Sequence, residues 1–368
     1  MSANVFFWNL RASRKMPFNL RIKRLLKEAG ASEALEDGPL IAVKIHFGER
    51  GTTGFISPLW VAPVLDYLRK SGCRPFLTDT NTLYMGQRGE AVSHALQAAA
   101  HGFDPNLLGT PVIIADGLKS SNERAVFCPG RHFDQAYIAG DILDADGLVN
   151  LSHFKGHALT GFGGALKNIG MGCATRQGKM QQHCGTGPKV KEDHCKACGA
   201  CVEVCAPGAL FLEDDVIRLN REKCVGCASC IRVCPTGALQ IDFGTEVKGF
   251  MEKVAEYSAA VLLPRRGKVL HVNYILNVSP GCDCPGFNDA SICPDLGVLA
   301  SFDPVALDQC SADMVNEAVP VYPSALPEGI IPGQDKFQAV NKDVNGHYLL
   351  EHAQKLGVGN REYRLITL

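Results

Sequence analysis

The sequence predicts an α/β protein, with a mainly parallel sheet flanked by helices and a small α+β domain inserted into it. Strands and helices alternate through the first half of the chain, and this order is typical of a parallel sheet covered by helices. A cysteine-dense stretch at 190–243 interrupts the alternation, and helix and strand signals resume after it. We therefore predict a host domain made of residues 1–189 and 244–368, and an inserted domain at 190–243.

Capping and turn residues bound the elements of the first half. The clearest helix has Ser57 as its N-cap and Pro58 at its first helical position, and it stops at Gly72. In chain order, the predicted elements are a strand at 5–8, a helix at 18–29, a strand at 41–47, the helix from Pro58, a strand at 75–78, a helix at 90–101 and a strand at 112–115.

The part of the chain after the insertion follows the same rules. Asp303 and Pro304 predict the start of a helix, because an aspartate cap followed by proline suits the first helical turn. The other predicted elements are a helix at 246–260, a strand at 269–278, a proline-rich surface loop at 320–332, a helix at 348–356 and a final strand at 363–367.

Composition and charge exclude several classes of protein. Hydrophobic residues are 46% and charged residues 20% of the 368, as in a globular chain, and the net charge of -1 predicts no nucleic-acid or membrane-surface partner. The N-terminal residues lack the pattern of a signal peptide, and no apolar run approaches the roughly 18 residues that span a bilayer. We expect a cytoplasmic protein whose 16 cysteines serve metal or redox chemistry rather than disulfides.

The insertion contains an internal repeat. Four cysteines recur 29 residues later with the same C-x2-C-x2-C-x3-C spacing, and a Gly-Ala-Leu triplet follows each set. The first set is Cys195, Cys198, Cys201 and Cys205, and the second is Cys224, Cys227, Cys230 and Cys234.

This segment resembles the bacterial two-cluster ferredoxins, in which the fourth cysteine of each run binds the other cluster. The resemblance implies a ferredoxin-like domain that carries two [4Fe–4S] clusters. One cluster would take Cys195, Cys198, Cys201 and Cys234, and the other would take Cys224, Cys227, Cys230 and Cys205.

Two features qualify the resemblance. Cys205 is followed by Ala206, whereas Cys234 is followed by Pro235 as the family pattern requires. A pair of zinc sites is the alternative, but tetrahedral zinc takes two CxxC pairs rather than three cysteines from one loop. Because the insertion holds more acidic than basic residues, we expect any redox partner protein that docks there to be basic.

The segment just before the insertion is basic and rich in glycine. No Asp or Glu occurs from residue 147 to residue 191, and the glycines at 161–164 predict a helix entry whose free N–H groups face an anion. A basic loop that merely covers the acidic insertion is the alternative. The candidate anion-binding residues of this segment are Lys155, Gly163, Gly164, Asn168, Arg176 and Lys179, and Lys167 is a candidate catalytic residue.

Several histidines and cysteines are candidates for further chemistry. His46, His153 and His157 could transfer protons or be satisfied core residues. One helix face could present His153 and His157 together, but Gly156 between them favours a loop equally. Cys73, Cys128 and Cys310 lie in apolar surroundings and are predicted to be structural. A candidate third metal site, for zinc or iron, consists of His183, Cys184, Cys282, Cys284 and Cys293, with Cys173 nearby in sequence.

Polar residues also follow two predicted strands. His46 and Glu49 come at or after the first of these strands, and Asp79, Asn81 and Arg88 follow the second. Open α/β sheets bind ligands outside the carboxyl ends of their strands, so these residues are predicted to line a crevice. Asp79 and Asn81 could equally be turn formers that bond their own backbone.

A further resemblance covers nearly the whole chain. The motifs Lys44-Ile-His-Phe-Gly-Glu49, Leu77-Thr-Asp-Thr-Asn81, the block at 161–172 and Ser301-Phe-Asp-Pro-Val-Ala-Leu-Asp308 resemble the family called domain of unknown function 362. Members of that family often carry a two-cluster ferredoxin segment, so the resemblance implies an iron–sulfur protein, but it implies no particular reaction.

Three hypotheses of function follow. In the first, the clusters pass electrons to a site in the host domain, which reduces a small anionic substrate or a bound metal centre. In the second, the protein is a non-catalytic electron carrier or a metal-handling accessory protein for a partner enzyme. In the third, it is a redox sensor whose free cysteines respond to oxidant.

Overall fold

The computed structural model of the chain describes residues 2–35, 39–84, 86–185, 187–242 and 246–368. Across these residues the main element is an eight-stranded sheet of order β16-β1-β15-β14-β7-β2-β3-β4, in which only β15 opposes the other strands. Its strands are β1 (Ala3–Trp8), β2 (Leu40–Lys44), β3 (Arg74–Asp79), β4 (Val112–Ile114), β7 (Gly147–His153), β14 (Val269–Ile275), β15 (Gly297–Ser301) and β16 (Tyr363–Thr367). The predicted α/β fold with a mainly parallel sheet is confirmed.

Helices cover both faces of this sheet, because its strands are apolar on both sides. Val43 and Val149 point into a core shared with α1 and α3, whereas Ala42 and Leu148 point into a core on the opposite face. The helices are α1 (Phe18–Glu28), α2 (Ala31–Leu35), α3 (Pro58–Lys70), α4 (Ala91–Ala100), α5 (Pro105–Leu108), α6 (Gly140–Asp144), α7 (Ala165–Gly170), α8 (Arg176–Cys184), α9 (Ala200–Glu203), α10 (Ser229–Val233), α11 (Val247–Leu262), α12 (Pro304–Glu317), α13 (Lys336–Val340) and α14 (His347–Lys355).

The predicted caps form as expected. The Ser57 side chain accepts a hydrogen bond from the Leu59 N–H at the start of α3, and Asp303 caps α12 in the same way. Two strands are shorter than predicted: β2 ends at Lys44 rather than at 47, and β14 ends at Ile275 rather than at 278. Beyond each of these ends the chain leaves the sheet to form a loop that lines the cavity described below.

Short strands outside the main sheet form four two-stranded pairs in the described residues. Two of these pairs belong to or border the predicted insertion, and the other two belong to the host. The pairs are β5 (Glu123–Phe127) with β6 (Gln135–Ala139), β8 (Lys155–His157) with β9 (Gly161–Gly163), β10 (Lys189–Val190) with β13 (Leu239–Gln240), and β11 (Leu210–Glu213) with β12 (Val216–Leu219).

The backbone of the insertion repeats as its sequence does. Gly199 and Gly208 have a positive φ, and the residues 29 positions later, Ala228 and Gly237, also have one. The helices α9 and α10 follow at the same offset. The pairing of β10 with β13 brings the two ends of the insertion together, although Phe243, its predicted last residue, lies outside the described residues.

The insertion packs on the host through a small apolar cluster. Leu83 and Met180 of the host contact Leu210, Ile231 and Leu239 of the insertion. In the described part of the chain, no helix has both the length and the apolar character to cross a membrane.

Candidate functional site

A cavity of about 370 Å³ lies at the carboxyl ends of β2, β3 and β7. A volume of this size accommodates a small molecule. The residues predicted from the sequence that line it are His46, Asp79, Arg88, His153, Lys155, His157, Gly163, Gly164, Lys167, Asn168, Lys179, His183, Cys282 and Cys284. The crevice expected at the ends of the parallel strands is therefore present.

The floor of the cavity is a buried network of charges around Asp79. The Lys44 Nζ lies 2.9 Å from Asp79 Oδ1, and Arg88 Nη1 lies 3.4 Å from Asp79 Oδ2. Burial opposes ionisation of Asp79, but the Lys44 charge and the nearby His94 together outweigh burial and hold the pKa of this carboxyl well below its ordinary value. The Arg88 guanidinium also lies 3.4 Å from Glu49, so it is shared between two carboxylates.

Asn168 holds Lys44 in this network. Its side-chain oxygen accepts a hydrogen bond of 2.8 Å from Lys44 Nζ, and its amide nitrogen donates to Asn150 and to the Leu151 carbonyl. With both ends of its amide engaged, Asn168 positions the floor rather than offering a free group to an anion.

Lys167 differs from the other cations that line the cavity. Its side chain is half-buried, and no carboxylate pairs with it among the described residues. The lining contains five cationic side chains, Lys44, Arg88, Lys155, Lys167 and Lys179, against the single carboxylate of Asp79. The cavity is therefore suited to an anionic ligand, and Lys167 is the cation most available to it.

Lys179 is buried deeper in the wall. Its Nζ donates to the Thr80 hydroxyl and, at 2.6 Å, to the Ala174 carbonyl. Burial lowers the pKa of Lys179 to about 8, against the opposing charges of Asp116 and Asp79. Its charge therefore changes close to neutral pH.

The sulfur of Cys284 faces a histidine donor. His46 Nδ1 accepts a 3.1 Å hydrogen bond from the Gly48 N–H, so its hydrogen is on Nε2, which lies 3.6 Å from Cys284 Sγ. Tyr84 and Cys282 line the cavity together with this cysteine. The Cys282 contact, together with the His46 hydrogen bond, holds the pKa of Cys284 well below its ordinary value despite burial.

His153 is engaged at both ring nitrogens. Nδ1 lies 2.9 Å from Asp283 Oδ2, and Nε2 lies 2.8 Å from the Leu276 carbonyl oxygen. Lys155 Nζ lies 3.0 Å from the same carboxylate. His153 is therefore a structural partner of Asp283, and the interpretation of it as a proton-transfer residue is not supported. Nor do His153 and His157 share a helix face, because they lie on β7 and β8.

His157 and His183 are both held neutral. His157 Nδ1 accepts from the Leu159 and Thr160 N–H groups at 3.2 Å, so its hydrogen is on Nε2. Burial, reinforced by the Lys167 charge, lowers the pKa of His157 well below its ordinary value and that of His183 to about 4. The His183 ring stacks on Phe250, with centroids 4.7 Å apart.

The helix entry at Gly163 and Gly164 does not offer free N–H groups. Gly161–Gly163 forms β9, and the first two N–H groups of α7 donate to the Asp308 carboxylate, Ala165 at 2.7 Å and Leu166 at 2.9 Å. The predicted anion site at this helix is therefore wrong, because α12 already supplies the anion. Burial raises the pKa of Asp308 to about 6.

Several residues predicted for the host site lie outside the cavity, as Glu49 does. Asn81 is buried and donates 2.9 Å hydrogen bonds to Asp116 and to the Gly117 carbonyl. Arg176 donates to the Lys119 carbonyl, and Cys184 accepts from the Asp242 N–H at 3.1 Å. Cys293 packs in the apolar core. Of the five residues of the candidate third metal site, His183, Cys282 and Cys284 line the cavity and Cys184 and Cys293 do not, so the five are not assembled into one site.

The cysteines of the insertion line two small cavities in crossed sets. The first three cysteines of each repeat share a cavity with the last cysteine of the other repeat. Cys205 and Cys234, the crossing cysteines, each accept a 3.2 Å hydrogen bond from a backbone N–H four residues later. One cavity is lined by Cys195, Cys198, Cys201 and Cys234, and the other by Cys205, Cys224, Cys227 and Cys230.

The second of these cavities lies against the host domain. Gly226, between two of its cysteines, approaches Met180 so closely that an added Cβ would be 3.4 Å from the Met180 side chain. Met180 belongs to α8, which also carries Lys179 and His183 into the large cavity. In the other cavity Cys198 is exposed to solvent. One cysteine set thus lies next to the candidate site and the other lies next to solvent.

Three residues that shape the site were not singled out as functional from the sequence. They are Lys44, Asp283 and Asp308, all of them buried. Their sequence signal is a charged residue within an otherwise apolar element or turn, which is rare unless the charge is paired. Lys44 closes the apolar run of β2, and Asp308 follows four apolar residues in α12.

Comparison with known proteins identifies a family and similar solved structures. The model of the family described as Domain of unknown function (DUF362) matches residues 41–313. The lactate racemase apoprotein from Thermoanaerobacterium thermosaccharolyticum aligns with a TM-score of 0.37 and 11% identity, over 74% of this chain and 50% of the racemase chain. No curated protein matches the chain.

Proposed function

This chain belongs to the DUF362 family, and from its crossed cysteine sets and cationic cavity we propose that it is an iron–sulfur redox protein. Two [4Fe–4S] clusters in a ferredoxin-like insertion would pass electrons to the cavity, where a small anionic substrate or a bound metal centre is reduced. The observation that carries this proposal is the crossing of the cysteines between the two repeats.

The cysteines fit such clusters in both number and surroundings. Each set has four thiols, and three of the four come from one tight loop, as cubane ligation requires. A zinc site would draw two CxxC pairs together instead. The backbone N–H groups that donate to Cys205 and Cys234 are of the kind that tune cluster potentials. When bound, the clusters supply electrons one at a time.

The two cysteine sets differ in a way that favours a direction of flow. Cys198 is exposed, so a redox partner protein can approach that set from solvent. In the other set, Cys227 lies near Arg176 and Gly226 packs on Met180. Arg176 and Met180 are both residues of α8. Electrons would enter at the exposed set and leave from the set next to α8, on the side of the cavity.

The cavity residues supply charge and hydrogen-bond donors to the ligand. Lys167 binds the anionic group of the ligand, with Lys155 and Lys179 adding to the positive field. His157 presents its Nε2–H as a neutral hydrogen-bond donor, whereas His46 Nε2–H is held towards Cys284. The chain therefore offers positive charge and a neutral hydrogen-bond donor within the same cavity.

A pair of nitroaromatic probes tests this function. Protein reduced under anaerobic conditions is mixed with anionic 4-nitrobenzoate or with neutral 4-nitrobenzyl alcohol, and the absorbance of the reduced clusters is followed. We expect the rate to saturate with 4-nitrobenzoate, and Lys167→Met to raise the half-saturating concentration about tenfold, because one charge-assisted contact is lost. The neutral probe is the internal control.

Lys119→Met is the matched variant, since Lys119 is exposed and lies outside the cavity. It should leave both probes unchanged. If Lys167→Met also changes nothing with 4-nitrobenzoate, the cavity is not where electrons leave, and the electron-carrier hypothesis replaces this one.

A further inference from the structure

We propose that Cys282 and Cys284 form a redox-active dithiol that reduces small anionic disulfides in the cavity. The two thiols line the cavity side by side, and neither is fully buried. The chain bends at Asp283 and Cys284, and the side chains on either side of Asp283 reach the same cavity. A disulfide between them requires that the two side chains do not point apart.

Cys284 has the surroundings of an attacking thiolate. Its sulfur lies 3.6 Å from His46 Nε2 and shares the cavity lining with the cations Arg88 and Lys167. The hydrogen of His46 is directed at this sulfur because the Gly48 N–H occupies the other ring nitrogen. A sulfur that accepts such a hydrogen bond among cationic side chains is stabilised as the anion, and the anion is the form that attacks disulfides.

Contacts of Asp283 and Pro280 with the strand that follows β7 and with its neighbours hold the loop that carries the two cysteines in place. Asp283, between them, is buried and pairs with His153 at 2.9 Å and Lys155 at 3.0 Å. Gly156 packs so closely on this loop that an added Cβ would lie 2.0 Å from the Pro280 carbonyl oxygen. Because the middle residue is anchored away from the cavity, the flanking side chains are free to face it.

The charges of the lining select the substrate class. The Lys167 charge acts on both thiols, and Lys155 pairs with Asp283, the residue between the two cysteines. Within the described residues Lys167 has no carboxylate partner, so the cation is available to a ligand. A disulfide that carries carboxylates would place its sulfurs near Cys284 and its charge near Lys167.

The reaction balances in two steps. The Cys284 thiolate attacks the substrate disulfide, forming a mixed disulfide and releasing one substrate thiolate. The Cys282 thiol, losing its proton, then attacks the Cys284 sulfur and releases the second substrate thiolate. The substrate gains two electrons, and the dithiol becomes a disulfide. Two electrons and one proton restore the thiol and the thiolate. The inference rests on the proposed function only for the source of these electrons.

The test uses 5,5′-dithiobis(2-nitrobenzoate), an anionic disulfide whose thiolate is coloured. The full chain, with its metal content measured beforehand, is mixed with the probe under anaerobic conditions and without denaturant. We expect a fast phase of about two equivalents of coloured thiolate in the wild type, because Cys282 resolves the mixed disulfide. Cys284→Ser should abolish the fast phase.

Cys282→Ser distinguishes a dithiol from a single reactive thiol. It should release about one equivalent and retain the aromatic adduct on Cys284, which mass spectrometry detects. Cys184→Ser, outside the cavity, is the control and should keep the full fast phase. Far-ultraviolet circular dichroism confirms that each variant is folded.

Two results would overturn the inference. One is a fast phase that survives in Cys284→Ser, and the other is a single equivalent in the wild type. Iron and sulfide measured in the same samples separate this failure from failure of the proposed function. If iron-loaded protein lacks the fast phase, the dithiol inference fails and the cluster proposal stands. If protein without iron shows a normal fast phase, the cluster proposal fails and the dithiol inference stands.

Discussion

The cations of the cavity differ in what they are free to do, although the sequence presents them alike. Lys44 is wholly buried and is shared between Asp79 and Asn168. Arg88 is shared between Asp79 and Glu49. Such paired charges fix the shape of the cavity, because removing one partner would leave an uncompensated buried charge. Lys167 is available to a ligand because the fold places no carboxylate beside it among the described residues.

Lys179 gives the site a dependence on pH. Burial lowers its pKa to about 8, so it is cationic below that pH and neutral above it. We expect the affinity for 4-nitrobenzoate, measured by calorimetry on the oxidised protein, to fall about tenfold as the pH rises through 8, since one nearby charge is lost. Lys179→Arg, which stays charged, should remove this dependence, and Lys179→Met should bind weakly at every pH. A wild-type affinity that is flat across this range would contradict the role of Lys179.

At the residue scale, type and spacing predicted which side chains meet but not what they do there. The sequence correctly grouped His46, Asp79, Arg88 and Lys167, because each follows the carboxyl end of a strand or lies in the glycine-rich segment. It could not reveal that His153 is bonded to Asp283, which is 130 residues away. Long-range partners decide whether a histidine is free, and no local pattern encodes them.

Among the elements, α7 shows how a tertiary contact replaces a local one. Its N-cap is Gly164, which has no side chain to accept a hydrogen bond, and the Asp308 carboxylate from α12 accepts the first two N–H groups. The same carboxylate accepts from Asn273 on β14, so it joins three elements. Lys167 and Asn168 follow on α7, and their position therefore depends on Asp308.

Asp308→Ala should destabilise the protein strongly. It leaves three buried donors without an acceptor, and we expect a loss of about 3 kcal/mol in the free energy of unfolding, measured with urea at pH 8. Asp308→Asn retains the shape and one acceptor oxygen, so its loss should be about half as large. Equal stability of the two variants would show that the carboxylate does not cap α7.

The sequence predicted the elements with strong local signals best. The helix after Ser57, the helix after Asp303 and the final strand all appear close to where capping and alternation place them. The pair β8–β9 was not predicted, because its strands have three residues each and contain glycine, and the pair β5–β6 was missed although its strands have five residues each. In such segments pairing across the sheet, rather than propensity, determines the structure.

On the scale of the whole molecule, the insertion and the host meet at a small surface. Lys189 pairs with Gln240 across β10 and β13, so the chain enters and leaves the insertion at one place. The contacts through Leu83 and Met180 then hold the insertion against the side of the cavity. Cysteine density predicts where the insertion begins and ends, whereas nothing in the sequence predicts its position on the host.

Removing the insertion tests whether the host folds alone. Joining Val190 to Leu239 by an Asn-Gly turn would convert β10 and β13 into a hairpin, because that dipeptide suits a two-residue turn. We expect a folded protein with cooperative thermal unfolding and no bound iron, with a lower Tm because Leu83 and Met180 are uncovered. Noncooperative unfolding of the shortened chain, seen by calorimetry, would contradict an independent host.

The central claim is that the two crossed cysteine sets bind two [4Fe–4S] clusters, and the most direct measurement is iron and acid-labile sulfide per chain after anaerobic purification. The account predicts about eight of each, falling to about four of each in Cys198→Ser, whose cysteine set is remote from the host. Cys184→Ser should leave both values unchanged. About two zinc ions per chain, with no sulfide, would contradict the account.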